Sequence, residues 1–133
     1  MQTLAFYNAI ANNGEFVRPR FIQQARVGTK VLKEFKKEVI NPSICSKGTV
    51  EKVKQLLKDV VEKDFGTGYN LYSKNFSMAG KTGTAQKNYV AKDPDKLQYI
   101  SSFVGYFPAD TPKYSCIVAV SYTHLTLPTI LLV

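Results

Sequence analysis

The sequence predicts an α+β fold, a mainly antiparallel sheet with helices packed against it, in a chain of 133 residues that suits one small domain. Three observations carry this expectation. Two stretches repeat apolar residues at helical spacing, a Gly-first two-residue turn joins two β-patterned runs, and three further β-patterned runs follow one another through short or polar connections. Neighbouring strands joined by short turns pair antiparallel.

The first helix is expected over residues 3–13, where Leu4, Tyr7 and Ala11 fall on one face with Phe6 and Ile10 beside it. Asn12-Asn13-Gly14 is a stop signal. Pro19 disfavours helix at Arg18, so Arg18-Pro19-Arg20 reads as extended. Residues 21–27 and 30–35 read as a hairpin, with Gly28-Thr29 as its turn. Asn41-Pro42-Ser43 breaks that pattern. The clearest helix spans residues 49–64, with Val50, Val53, Leu57, Val60 and Val61 on one face and Lys52, Lys58, Glu62 and Lys63 on the other. Ser46 or Thr49 is its expected cap, and Gly66-Thr67-Gly68 its end. Strands are then expected over residues 75–84, 98–107 and 113–120. A polar loop over 85–97 and a turn at Pro108-Ala109-Asp110-Thr111-Pro112 separate them.

Composition excludes several classes. The chain is 44% hydrophobic and 12% aromatic, a globular balance. It has no apolar run of 18 residues for a membrane-spanning helix and no basic-then-apolar leader after Met1. Two cysteines, Cys45 and Cys116, build neither a disulfide framework nor a four-ligand zinc site, and His124 is the single histidine. Cys116 on a β-pattern reads as a buried small hydrophobe. The net charge is +8, and residues 20–63 hold eleven basic against five acidic residues. Acids interleave with the bases there, as Glu34 and Glu38 do among Lys33, Lys36 and Lys37, which describes a solvated face better than a phosphate-tracking stripe. Tyr99, Phe103, Tyr106 and Phe107 read as core and sheet-face aromatics rather than a base-stacking platform.

The chemistry lies in Met78-Ala79-Gly80-Lys81-Thr82-Gly83-Thr84-Ala85-Gln86. Gly80-Lys81-Thr82 matches the end of a phosphate-binding loop, but that motif needs glycine where Asn75 stands and a helix opening at the lysine. K-T-G-T on a strand makes better physical sense beside a serine nucleophile. Lys81 supplies fixed positive charge, Thr82 and Thr84 offer hydroxyl donors to an anionic group, and Gly83 lets a substrate backbone approach. A strand edge also offers backbone N–H groups to an oxyanion.

With these stretches on view, residues 1–120 resemble the C-terminal half of a penicillin-binding protein transpeptidase domain of the monofunctional class B, septal division type. The carrying stretches are TLAFYNAIANNG (3–14), VRPR (17–20), GKTGTAQ (80–86) and SFVGYFP (102–108). The resemblance implies the penicillin-binding/serine β-lactamase-like fold, of which this chain holds part, an antiparallel sheet with helices on both faces. It implies D,D-transpeptidation in peptidoglycan synthesis through a serine acyl-enzyme, with three motifs, S-x-x-K, S-x-N and K-T-G. Carried onto this sequence, Lys81 and Thr84 are the catalytic residues and Thr82, Gly83 and Thr84 bind substrate, with the Thr84 backbone N–H completing the oxyanion hole. No metal or cofactor is implied. The implied partners are stem peptides ending in D-Ala-D-Ala, β-lactams and the membrane proteins of a division complex, and no specific nucleic acid. The implied parent is anchored in the cytoplasmic membrane with this domain periplasmic or otherwise extracytoplasmic.

The departures define what the chain alone is expected to do. No lysine has a serine three residues before it, and Ser73-Lys74-Asn75 matches S-x-N only by letters, eight residues before Lys81. The chain is therefore expected to be an inactive, marginally stable fragment whose apolar positions Val53, Leu57 and Val60 stay partly wet. Residues 121–133 carry no Asp, Glu, Lys or Arg and lose the family pattern, which reads as foreign or misassembled sequence. Rival readings are a catalytically silent division scaffold or a β-lactam sensor of the same fold, and, less favoured, a basic module for polyanions.

Overall fold

The computed structural model describes residues 1–87 and 98–122. The elements run α1 (Gln2–Ala11), β1 (Phe16–Val17), β2 (Gln24–Val27), β3 (Lys30–Glu34), β4 (Val39–Asn41), α2 (Lys47–Glu62), one 3₁₀ turn (Tyr69–Leu71), β5 (Ala79–Lys87), β6 (Gln98–Phe107) and β7 (Tyr114–Tyr122). This is the α+β class expected, with three antiparallel sheets of orders β1-β4, β2-β3 and β5-β6-β7. Among the described residues, no helix is long and apolar enough to cross a membrane.

Helix α1 ends two residues earlier than the sequence pattern suggests. Asn13 and Gly14 take φ of +56° and +93°, and the Gly14 N–H turns back to the Ala9 carbonyl at 2.8 Å. Helix α2 opens two residues earlier than expected, and Ser46 is its cap, accepting the Thr49 N–H at 3.2 Å. Such a cap contributes about 1 kcal/mol. The β2–β3 hairpin turns at Gly28, whose φ of +56° suits the first position of the turn expected there. Phe21 and Ile22 do not join it, Gln23 contributes only its carbonyl, which accepts the Phe35 N–H at 2.9 Å, and the register shifts between Ala25 and Arg26. Strands β1 and β4, of two and three residues, are too short to show alternation in the sequence.

The main sheet also departs from the expected limits. The first strand starts at Ala79, not residue 75, because the preceding segment bonds elsewhere. The Ser73 hydroxyl accepts the Asn75 N–H at 3.2 Å, a local turn, and Ser77 accepts the Ala109 N–H on both its hydroxyl (2.9 Å) and its carbonyl (3.1 Å). At its far end β5 runs to Lys87, three residues into the expected loop, because Lys87 pairs with Gln98 and Gln86 with Tyr99. The third strand extends to Tyr122 through the pairs Ile100–Ser121 and Tyr99–Tyr122. The Lys92–Lys96 loop, His124 and the rest of the expected foreign tail lie outside the described residues.

Cross-strand partners share a face, so the register divides the sheet. One face carries Ala79, Lys81 and Gly83 with Tyr106, Val104 and Ser102; the other carries Gly80, Thr82 and Thr84 with Gly105, Phe103 and Ser101. Helices α1 and α2 cover the first face, where Ile10, Ala11, Leu57, Ala79, Tyr106 and Ala109 form the core. Of the three positions expected to stay partly wet, Leu57 is packed at 8% exposed, while Val53 and Val60 are half-buried. The second face is open, with Val118 56% and Tyr114 63% exposed. Cys116 lies on it and is half-buried rather than fully buried. Tyr106 is enclosed, and burial pushes its phenol up to about 12. Lys58 of α2 holds Asp110 at 2.8 Å, fastening the turn between β6 and β7 to the helix. That hydrogen bond, followed by the one from Ser77, draws the Asp110 carboxyl below its usual range.

Close backbone approach explains the glycines of the sheet. Gly80 pairs with Gly105, and the Phe103 ring lies over both. A Cβ on Gly105 would stand 2.3 Å from the Ala79 carbonyl oxygen, a backbone atom that cannot step aside. Gly105→Ala is expected to destabilise the fold by about 1–3 kcal/mol or more, as overpacked cores do. The check is the thermal midpoint of the variant: a fall of several degrees is expected, and a change under about one degree would contradict the close-approach argument.

Candidate functional site

The residues read as K-T-G-T sit on β5, the outer strand of its sheet. One edge pairs with β6 and the other carries no strand among the described residues. The free edge leaves backbone N–H and C=O groups available to an extended ligand. The strand placement of Lys81 also removes the phosphate-loop reading, which needs that lysine to open a helix.

Strand alternation places Lys81 and Gly83 on the helix-packed face and Thr82 and Thr84 on the opposite one. Lys81 nevertheless reaches both sides. It is exposed, and its ammonium donates to the Thr82 carbonyl at 2.8 Å and to the Thr82 hydroxyl at 3.3 Å. With β6 filling the other edge, that path runs round the free edge of β5, so the charge stands where a ligand would lie. Thr84 is exposed one alternation further along. Gly83 is held by Ser102, whose hydroxyl donates to the Gly83 carbonyl at 3.3 Å, and a Cβ on Gly83 would meet that hydroxyl at 2.7 Å. The bare α-carbon thus lets Ser102 brace the strand from β6, a requirement different from the substrate clearance read from the sequence.

One group at this site was missed by sequence reasoning as a site residue. The Thr67 hydroxyl lies 2.7 Å from the Thr82 hydroxyl. Thr67 is flanked by two glycines pressed onto the end of α2: a Cβ on Gly66 would stand 2.2 Å from the Val60 carbonyl oxygen, and one on Gly68 3.2 Å from the same atom. The Gly68 N–H donates to that carbonyl at 2.9 Å, and the Gly66 N–H to the Lys63 carbonyl at 2.8 Å. The signal was the Gly-Thr-Gly run itself, which reads equally well as a helix terminator and so hid a side chain.

The site therefore consists of a fixed cation, a hydroxyl chain and an unpaired strand edge. Chemically, such an arrangement offers charged and hydroxyl donors to a carboxylate and a strand edge to an extended backbone. Among the described residues, no group of three His, Cys, Asp or Glu side chains is arranged to hold a metal. Ser73, of the S-x-N letter match, is engaged with its own turn, and the Lys81 ammonium bonds to Thr82.

Residues 1–127 match the profile described as the penicillin binding protein transpeptidase domain. The chain is 33% identical over 124 residues to stage V sporulation protein D of Bacillus subtilis, covering 90% of this chain and 18% of that protein. It is 35% identical over 123 residues to penicillin-binding protein PbpB of Mycolicibacterium smegmatis, covering 86% of this chain and 18% of that one. Among solved structures, penicillin-binding protein 2B of Streptococcus pneumoniae superposes with a TM-score of 0.72 at 24% identity, over 92% of this chain and 21% of that one. The chain spans about a fifth of the length of the relatives it matches.

Proposed function

Since the chain belongs to the penicillin-binding protein transpeptidase family, we propose that it forms the K-T-G wall of a peptidoglycan D,D-transpeptidase whose nucleophile lies in another part of the enzyme. The observation that carries the reading is the Lys81 ammonium at the free edge of β5, bonded to Thr82 of the same strand. In the full-length enzyme the serine of an S-x-x-K motif attacks the carbonyl between the two terminal D-alanines of a stem peptide. The C–N bond breaks, D-Ala leaves with a proton, and the acyl group stays on the serine oxygen. The amine of a neighbouring stem peptide then displaces the serine and forms the cross-link. The terminal carboxylate lies against Lys81, Thr82 and Thr84, and the Thr84 N–H donates to the oxyanion of the tetrahedral intermediate. A β-lactam enters by the same contacts and stops at the acyl-enzyme.

The finer reading is a monofunctional class B enzyme of septal division, supported by the SFVGYFP and GKTGTAQ stretches. It places the parent at the cytoplasmic membrane, with this domain outside and division-complex proteins as partners. The chain alone lacks a serine three residues before any lysine, which supports its being inactive by itself.

The test is release of D-Ala from a synthetic stem peptide ending in D-Ala-D-Ala by the full-length enzyme. Turnover blocked by benzylpenicillin is the expected result. A folded enzyme that neither releases D-Ala nor reacts with β-lactams would contradict the reading and select the silent scaffold.

A further inference from the structure

We propose that Thr67 is a positioning residue that makes the Thr82 hydroxyl a committed donor to the carboxylate of a stem peptide or β-lactam; the inference rests on the transpeptidase reading above. The argument is a hydrogen-bond count. A threonine hydroxyl has one proton to give and two lone pairs to receive. Among the described residues, Thr82 Oγ1 has two hydrogen-bond neighbours, Lys81 Nζ at 3.3 Å and Thr67 Oγ1 at 2.7 Å. The ammonium only donates, so it occupies one lone pair. Thr67 decides the rest. If its hydroxyl accepts, the Thr82 proton is spent within the protein. If it donates, both lone pairs are filled and the Thr82 proton points out to whatever lies along β5.

A carboxylate is an acceptor only, so its arrival selects the second arrangement. The resulting chain runs from the Thr67 hydroxyl to the Thr82 oxygen and from the Thr82 proton to the carboxylate. Each donor polarises the next in such a chain. Thr67 is held for this task. Gly66 and Gly68 seat the turn on the terminal carbonyls of α2, where no larger residue than glycine fits at 66, and α2 packs against β5. The position of Thr67 relative to Thr82 is thus set by a helix end, not by a free loop.

The experiment compares benzylpenicillin with its methyl ester on the full-length enzyme, reading the second-order acylation rate constant for wild type, Thr67→Val and Thr67→Ser. Valine keeps the branched shape and removes the hydroxyl. Thr67→Val is expected to lose roughly tenfold on the free acid, the worth of one hydrogen bond, and little on the ester, which has no carboxylate charge to reward the chain. Thr67→Ser is expected to recover the acid rate. Equal losses on acid and ester would mean a distorted strand and would overturn the proposal. So would an unchanged acid rate in Thr67→Val beside an active wild type. A wild type inert to both compounds would remove the transpeptidase reading itself, and this inference with it.

Discussion

Lys81→Ala in the full-length enzyme is expected to slow acylation by β-lactams by roughly 100–1,000-fold, the cost of removing a preorganised electrostatic group from a serine-enzyme site. The lysine has two consequences that alanine loses together. Its ammonium is a fixed charge at the free edge of β5, where a charge-assisted contact to a carboxylate is worth about 1.5–3 kcal/mol. It also donates to both the carbonyl and the hydroxyl of Thr82, so its removal frees the hydroxyl that Thr67 and a carboxylate must share. The fold itself should survive, because the Lys81 side chain is exposed and the strand is set by its pairing with β6. Circular dichroism beside the acylation rate separates the two effects. A folded Lys81→Ala enzyme acylated at the wild-type rate would show that the site has been misassigned.

The second expectation is all-or-none. The isolated chain of residues 1–133 is expected to form no covalent adduct with a fluorescent penicillin, while the full-length enzyme forms one. Loss of the nucleophile in a serine enzyme costs about a millionfold in kcat. None of this chain's serines stands three residues before a lysine. Ser102, the cross-strand partner of Gly83, donates its hydroxyl to the Gly83 carbonyl. Labelling of the isolated chain that competes with unlabelled benzylpenicillin would contradict this account.

What the sequence made legible follows from how local each signal is. The amphipathic face of α2 and the turn at Gly28 depend on neighbours a few residues away, and both were read close to their observed limits. The limits of β5 depend on distant groups. Ser77 is drawn off by the Ala109 N–H, 32 residues away, which delays the strand to Ala79, and Gln98 and Tyr99 prolong it to Lys87. No pattern within residues 75–87 contains that information. The motif residues Lys81 to Thr84 stand out in the sequence because their order is itself the signal. Their division between two faces, and the bridge that Lys81 makes round the edge, required the register with β6. Thr67 was hidden for the same reason: it meets Thr82 across 15 residues and a helix end. The glycines at 80 and 105 looked like ordinary strand interruptions until the pairing set them opposite each other beneath Phe103.

The central claim is that this chain supplies the carboxylate-binding wall and another part of the enzyme supplies the nucleophile. Peptide mapping of the penicilloyl adduct by mass spectrometry, on the full-length enzyme labelled with benzylpenicillin, tests it most directly. The account predicts a single modified serine, in an S-x-x-K sequence outside residues 1–133. An adduct on any serine or threonine within residues 1–133 would contradict it.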